Sequence, residues 1–137
     1  MFFYKLHELK DWPDRDIITA LTNFAKENIG FAQNYADLIV KRLIDPETNT
    51  TYKRPLFYLI DSIMKTVGGP FAALFEEYLS GIYSLVLRDI RSEEDIRKLD
   101  FLFNTWEERK LLSGNLLSKM KYQLKQQNAV SRFLCCL

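Results

Sequence analysis

Apolar residues recur at three- and four-residue steps along most of the chain, which is the period of helices that bury one face, and no long strand is signalled. Phe2, Phe3, Leu6 and Leu9 make one stripe over residues 2–10, suited to capping a helical stack. A turn at Trp12-Pro13-Asp14 follows, and Asp14 or Asp16 is placed to start a second helix with Ile17, Ile18, Leu21, Ala25 and Asn28 on its core face. A carboxylate there satisfies free backbone donors and the helix dipole, and it discourages a phosphate from docking at the same end. Gly30 is expected to close this helix, and Phe31, Tyr35, Leu38, Ile39 and Leu43 mark a third. The cluster Asp45-Pro46-Glu47-Thr48-Asn49-Thr50 reads as an exposed loop.

The stretch Tyr52 to Phe71 is where the pattern converges. From Leu56 to Val67 it is apolar on nearly every side, as in a helix whose neighbours cover most of its circumference. Pro55 suits its first turn, and Gly68-Gly69-Pro70 supplies a left-handed stop and a block to further helix. Asp61 breaks the pattern between Ile60 and Ile63. An ionised carboxylate among aliphatic groups needs a hydrogen-bond partner, either within the finished core or on a bound molecule.

Phe71, Leu74, Phe75, Tyr78 and Leu79 predict a short fifth helix, with a break at Ser80-Gly81 before Ile82, Tyr83, Val86 and Leu87 in a sixth. Ser92 followed by Glu93, Glu94 and Asp95 reads as the N-cap and acidic first turn of a seventh, with Ile96, Leu99, Leu102, Phe103 and Trp106 inward. After Ser113-Gly114-Asn115, Leu117, Met120 and Leu124 give the last helix a thin stripe that fades beyond Gln127. The fold expected is therefore all-α, a right-handed superhelix of about eight short helices in an α-solenoid arrangement. Residues 1–128 are expected to form one domain, and 129–137 the start of a linker or a tail.

Composition narrows the function class. With 47% apolar residues in 137, a core can form without disulfide or metal support. No apolar run reaches the ~20 residues of a membrane span, and the opening Met1-Phe2-Phe3-Tyr4-Lys5 does not read as a cleavable signal. The adjacent Cys135 and Cys136 are poorly placed for a mutual disulfide or for lipid attachment, which fits a reducing compartment. The net charge of +1 hides an asymmetry: from Arg109 onward there are six Lys/Arg and no Asp/Glu, against thirteen and eighteen before it. Lys119, Lys121, Lys125 and Arg132 read first as a solvated helix face, with an auxiliary contact to RNA or to a phosphorylated chain as the sharper expectation.

Catalytic constellations are scarce. His7 is the one histidine, no phosphate-cradling glycine loop occurs, and the acidic pairs Glu76-Glu77, Glu93-Glu94 and Glu107-Glu108 splay across helix surfaces. The chain reads as a binding module with no metal, no cofactor and no enzymatic activity.

The segments D-R-D-I-I-T-A-L-T-N-F-A-K-E-N-I-G-F-A-Q (Asp14–Gln33), P-L-F-Y-L-I-D-S-I-M-K-T-V-G-G-P-F (Pro55–Phe71) and F-N-T-W-E-E (Phe103–Glu108) resemble the RNA polymerase II C-terminal-domain-interacting domain (CID). The likeness is to the version found in the large scaffold subunit of the pre-mRNA cleavage and termination factor. It runs from about residue 4 to about 125, and the central Y-L-x-D-S-I-x-K-x-V-G is its specific part. The resemblance implies an eight-helix superhelix whose second, fourth and seventh helices take a Tyr-Ser-Pro-Thr-Ser-Pro-Ser repeat, usually phosphorylated on its second serine. It implies that Asp61 accepts the tyrosine hydroxyl of the peptide. Tyr58, Ser62, Met64, Lys65 and Thr66 are its neighbours in the expected peptide site, with Phe101, Asn104 and Thr105 across the groove. A nuclear, monomeric adaptor is implied, one that couples the polymerase tail to mRNA 3′-end processing and termination.

Two positions depart from the family pattern. Thr66 stands where many members carry an asparagine that holds the peptide backbone, and it offers one hydroxyl in place of a two-ended amide. Phe101 stands where some members place an arginine for the serine phosphate, and a phenyl ring makes no charge-assisted bond. Arg97, one turn earlier on the same stripe, is the expected substitute, helped by Lys65, with Phe101 packing on peptide proline or tyrosine. The competing class is a trafficking adaptor of the VHS/ENTH type that binds sorting signals, ubiquitin or phosphoinositides. The Asp61 motif and the lack of a basic cluster in the first helix argue against it.

Overall fold

Backbone capping sets the helix boundaries. The structure, a computed structural model, describes the backbone of residues 1–136 and the side chains of residues 1–127. The described residues form seven α-helices and two short 3-10 turns, with no strand: α1 (Phe2–Glu8), α2 (Arg15–Glu27), α3 (Ala32–Ile44), α4 (Lys53–Thr66), α5 (Phe71–Leu87), α6 (Glu93–Glu108) and α7 (Gly114–Cys136). The 3-10 turns are Ile29–Phe31 and Thr50–Tyr52. Asp14 caps α2 by accepting the backbone N–H groups of Asp16 (2.9 Å) and Ile17 (3.2 Å), and Ser92 caps α6 by accepting that of Asp95 (3.3 Å). Gly68 and Gly69, at φ +68° and +57°, end α4 as their left-handed conformation allows. The side chain of Arg132 and those of Cys135 and Cys136 lie outside the described residues.

Two expected boundaries and one expected core position differ. The break at Ser80-Gly81 does not occur, and α5 runs unbroken to Leu87, which brings the count to seven. Ser80 Oγ donates to the carbonyl of Glu76 (2.7 Å) within the helix, and buried Leu79 and Val86 hold the segment on either side, so packing overrides the weak propensity of glycine. Gly30 does not close α2. Asn28 does, donating both its backbone N–H (3.1 Å) and its side-chain amide (2.9 Å) to the carbonyl of Phe24, while Gly30 lies in the following 3-10 turn. Phe31, assigned above to a core face, is 59% exposed.

Alternate helices pack into two layers. Helices α2, α4 and α6 lie side by side, as do α3, α5 and α7, and α1 closes one end against α2 and α3. Helix α4 touches α2, α3, α5 and α6, which explains why Leu56, Phe57, Leu59, Ile60 and Ile63 are all sealed from solvent. The wall between α4 and α6 is filled by an aromatic cluster: Phe57 meets Phe103 edge-on at 5.4 Å, and Phe103 lies 5.1 Å from Trp106. No described helix is long and apolar enough to cross a membrane.

Two cations are buried where α4 begins. Lys53 Nζ donates to the carbonyl of Val86 (2.8 Å) and lies 3.7 Å from Asp89; burial pulls its pKa below the ordinary lysine value, and Asp89 offsets only part of that. Burial also works against the charge of Arg54, yet hydrogen bonding with Tyr58 and Asp95 outweighs it and its pKa is raised.

The glycines offer a paired test. A Cβ on Gly81 meets nothing within 4 Å, so Gly81→Ala is expected to stabilise the fold by about 0.5–1 kcal/mol. Gly68→Ala, at positive φ, is expected to destabilise it by about 1 kcal/mol. Urea unfolding of both variants checks the two signs.

Candidate functional site

Helices α2, α4 and α6 each turn three residues at the same spacing, i, i+3 and i+4, toward one groove of about 580 Å³. From α2 come Arg15, Ile18 and Thr19; from α4, Tyr58, Asp61 and Ser62; from α6, Lys98, Phe101 and Leu102; Pro13 closes the end. The walls are apolar in Ile18, Tyr58, Phe101 and Leu102, and Phe101 is 71% exposed with no packing partner in the core. A smaller hollow of about 310 Å³ continues the groove over α6, where Arg97 joins Tyr58, Lys98 and Phe101.

Asp61 sits in this wall with its two oxygens in different roles. Oδ1 accepts the indole N–H of Trp106 (2.7 Å) and pairs with Lys65 Nζ (2.6 Å). Lys65 also donates to Thr105 Oγ1 (3.0 Å), whose own proton goes to the carbonyl of Leu102 (2.6 Å). Oδ2 takes no hydrogen bond among the described residues and is not sealed in the core. The carboxylate is thus both the tie between α4 and α6 and an unoccupied acceptor in the groove. At the other end of the same wall, Arg54 Nε pairs with Asp95 Oδ1 (2.7 Å), and its guanidinium lies 5.6 Å from the Tyr58 ring, which orients that ring. Between α2 and α4 the link is the hydroxyl pair Thr22–Ser62 at 2.7 Å.

Of the residues singled out from sequence, Tyr58, Asp61, Ser62 and Phe101 line the groove, and Arg97 reaches its extension. Met64 does not: it is 2% exposed, one turn beyond Ile60 on the core face of α4. Lys65 is held between Asp61 and Thr105, so its charge faces the carboxylate and not a phosphate. Thr105 is turned to that same network. Asn104 accepts from Lys121 on α7 (2.9 Å), away from the groove, and Thr66 is an exposed end residue of α4 outside the groove wall. Pro13, Arg15, Ile18, Thr19, Lys98 and Leu102 were not singled out as site residues. The repeated i, i+3, i+4 triplets were the available signal, but it cannot be read without knowing which helices are neighbours.

The cations sit at the rim. Arg15 opens α2, Lys98 pairs with Glu94 (2.8 Å) and holds that carboxyl below its ordinary range, and Arg97 adds to the effect. On α7, Lys121 is tied to Asn104 and Glu107 (2.7 Å), leaving Lys119 and Lys125 exposed. The hollow between α6 and α7 is lined by Glu93, Glu94 and Asp100 beside Arg97 and Lys125, a poor seat for an anion. Among the described residues no group of three His, Cys, Asp or Glu side chains could hold a metal ion.

The fold is shared with known proteins. The family model of the CID domain matches residues 2–120. Protein PCF11 of Saccharomyces cerevisiae is 37% identical over 81 residues, which is 59% of this chain and 13% of that protein. An uncharacterized protein of Schizosaccharomyces pombe is 31% identical over 102 residues, 74% of this chain and 16% of that protein. This chain therefore spans a small part of the length of either relative. The crystal structure of the RPR of Pcf11 superposes with a TM-score of 0.79 at 32% identity, covering 91% of this chain and 96% of that one. The chain belongs to the CID family, and the all-helical fold is the one its sequence implied.

The tie between α4 and α6 has a measurable weight. Trp106→Phe removes a hydrogen bond to a carboxylate and leaves a smaller ring in a sealed site, and should cost about 2–4 kcal/mol in urea unfolding.

Proposed function

We propose that this CID domain reads the heptad-repeat C-terminal tail of RNA polymerase II, as a nuclear adaptor that links transcription to mRNA 3′-end processing and termination. The observation that carries the reading is the free Oδ2 of Asp61 beside the apolar surfaces of Tyr58, Phe101 and Leu102. A tyrosine hydroxyl supplies the one donor that oxygen lacks, while Tyr58, Phe101 and Leu102 offer the ring and the neighbouring prolines their contacts. Membership of the CID family supports this reading over a sorting or lipid-binding adaptor. Binding, with no turnover, is the activity.

Phosphate on the peptide meets the rim and not the floor. Asp61 repels an anion, and Lys65 is held between Asp61 and Thr105, so Arg15 and Arg97 are the groups that take it, with Lys98 beside them once it exchanges its exposed partner Glu94. Because Phe101 replaces an arginine of some relatives, phosphate adds modestly to binding. A short disordered peptide must be ordered on docking, so the affinity expected is micromolar or weaker, roughly −8 kcal/mol. The domain acts as a monomer in this reading, and Lys119 and Lys125 leave room for only a weak auxiliary contact with RNA.

Fluorescence titration with heptad peptides, bare and phosphorylated on the second serine, tests the reading. Asp61→Asn is the sharp variant: Trp106 and Lys65 both require an oxygen at the Oδ1 position, so the amide nitrogen is forced into the place of Oδ2. It should fold and lose about 10- to 100-fold in affinity for either peptide, the weight of a hydrogen bond to a charged group. Wild-type binding to neither peptide, or unchanged binding by Asp61→Asn, would sink the reading.

The rim is tested separately. Arg15→Ala and Arg97→Ala should each weaken the phosphorylated peptide by about two- to fivefold, as exposed charge contacts do, and leave the bare peptide unchanged. Equal loss on both peptides would move the phosphate elsewhere.

A further inference from the structure

The hydroxyl pair between α2 and α4 has a direction that the geometry decides. Thr22 Oγ1 lies 2.7 Å from the carbonyl of Ile18, and a carbonyl only accepts, so the single proton of Thr22 goes there. Thr22 Oγ1 is also 2.7 Å from Ser62 Oγ, and with its own proton committed it must accept from Ser62. The proton of Ser62 therefore points into the α2–α4 wall, and the lone pairs it has left face the groove it lines. Thr22 itself is 3% exposed and touches nothing that binds there, so its hydroxyl acts only through Ser62.

Asp61 and Ser62 are consecutive, and both now offer the groove acceptors and no donor. We propose that Ser62 is a second specificity-determining contact, an acceptor held ready by Thr22 for a serine or threonine hydroxyl beside the tyrosine that Asp61 receives. The proposal rests on the heptad-tail reading of the groove and adds a requirement to it. A phosphate on that neighbouring hydroxyl removes the donor and sets an anion against Asp61. One hydroxyl next to the tyrosine must therefore be bare, while phosphate elsewhere on the repeat meets the rim. Thr22 is the positioning residue: without its oxygen, the Ser62 hydroxyl rotates freely and is no longer held with its proton away from the incoming donor.

The test is a set of titrations with a two-repeat heptad peptide, and with versions in which each serine or threonine is replaced in turn by alanine in both repeats. Ser62→Ala and Thr22→Val should each weaken binding about fivefold, the double variant no further, and Thr22→Ser should return to within twofold of wild type. One of the alanine peptides should show the same fivefold loss on wild type and none on Ser62→Ala. Thermal melts identify any variant that fails to fold, and should Thr22→Val be one, the peptide series on Ser62→Ala decides alone. Binding of Ser62→Ala within twofold of wild type, or no alanine peptide whose loss vanishes on Ser62→Ala, overturns the proposal while leaving the tail reading intact. Failure of wild type to bind any heptad peptide removes the tail reading and this proposal together.

Discussion

One carboxylate oxygen joins the two helices that make the groove. Asp61 Oδ1 receives the indole N–H of Trp106 directly from α6, and it also pairs within α4 with the ammonium of Lys65, which in turn reaches α6 through Thr105. A buried carboxylate with no partners is costly, and one with every lone pair engaged would be inert toward a ligand. Dividing the two oxygens meets both constraints. The fold satisfies Oδ1, and Oδ2 remains for a guest whose donor completes the set. The aromatic cluster of Phe57, Phe103 and Trp106 behind it keeps the indole from rotating, so the free oxygen is held in place by packing as well as by hydrogen bonds.

Polarity in the groove is divided among its lining residues. Asp61 and Ser62 offer acceptors, Tyr58 and Phe101 offer rings, and Arg15, Arg97 and Lys98 bring positive charge. The other nearby cations are withdrawn into the structure. Lys53 caps a carbonyl of α5, Arg54 pairs with Asp95, and Lys65 faces Asp61. A ligand that suits this arrangement carries hydroxyl donors and rings at its centre and negative charge on its flanks. In the reading proposed here, that ligand is a tyrosine- and proline-bearing repeat with phosphate set apart from the tyrosine.

The two departures from the family pattern have different physical weight in this setting. Thr66 lies at the exposed end of α4, outside the groove wall, so the amide that many relatives carry there has no counterpart in this protein. Phe101 lies in the wall and is exposed, so this position offers the groove an apolar ring where some relatives carry a charge. Arg97 and Lys98, one turn earlier on α6, retain positive charge nearby, but Arg97 is exposed and Lys98 is paired with Glu94, so an ion pair there contributes little.

Much of the fold was legible in the order of residues. The caps at Asp14 and Ser92, the glycine stop after Thr66, the inward faces of α4 and α6, and the anomaly of Asp61 all follow from rules that act within one turn or one helix. Where local rules competed with packing they failed, as at Gly81, carried through α5 by its buried neighbours, and at Phe31, whose stripe position did not bring it inside. The lining of the candidate groove was legible in part, through Tyr58, Asp61, Ser62 and Phe101. Three facts belonged to the tertiary structure alone: which oxygen of Asp61 is free, where the proton of Ser62 points, and that Lys65 faces inward. Each depends on partners 40 to 45 positions away in the chain, Thr22 for Ser62, Trp106 for Asp61 and Thr105 for Lys65. Helical periodicity states which face of a helix is apolar, but a hydrogen bond is made between two faces, and only packing decides which two meet.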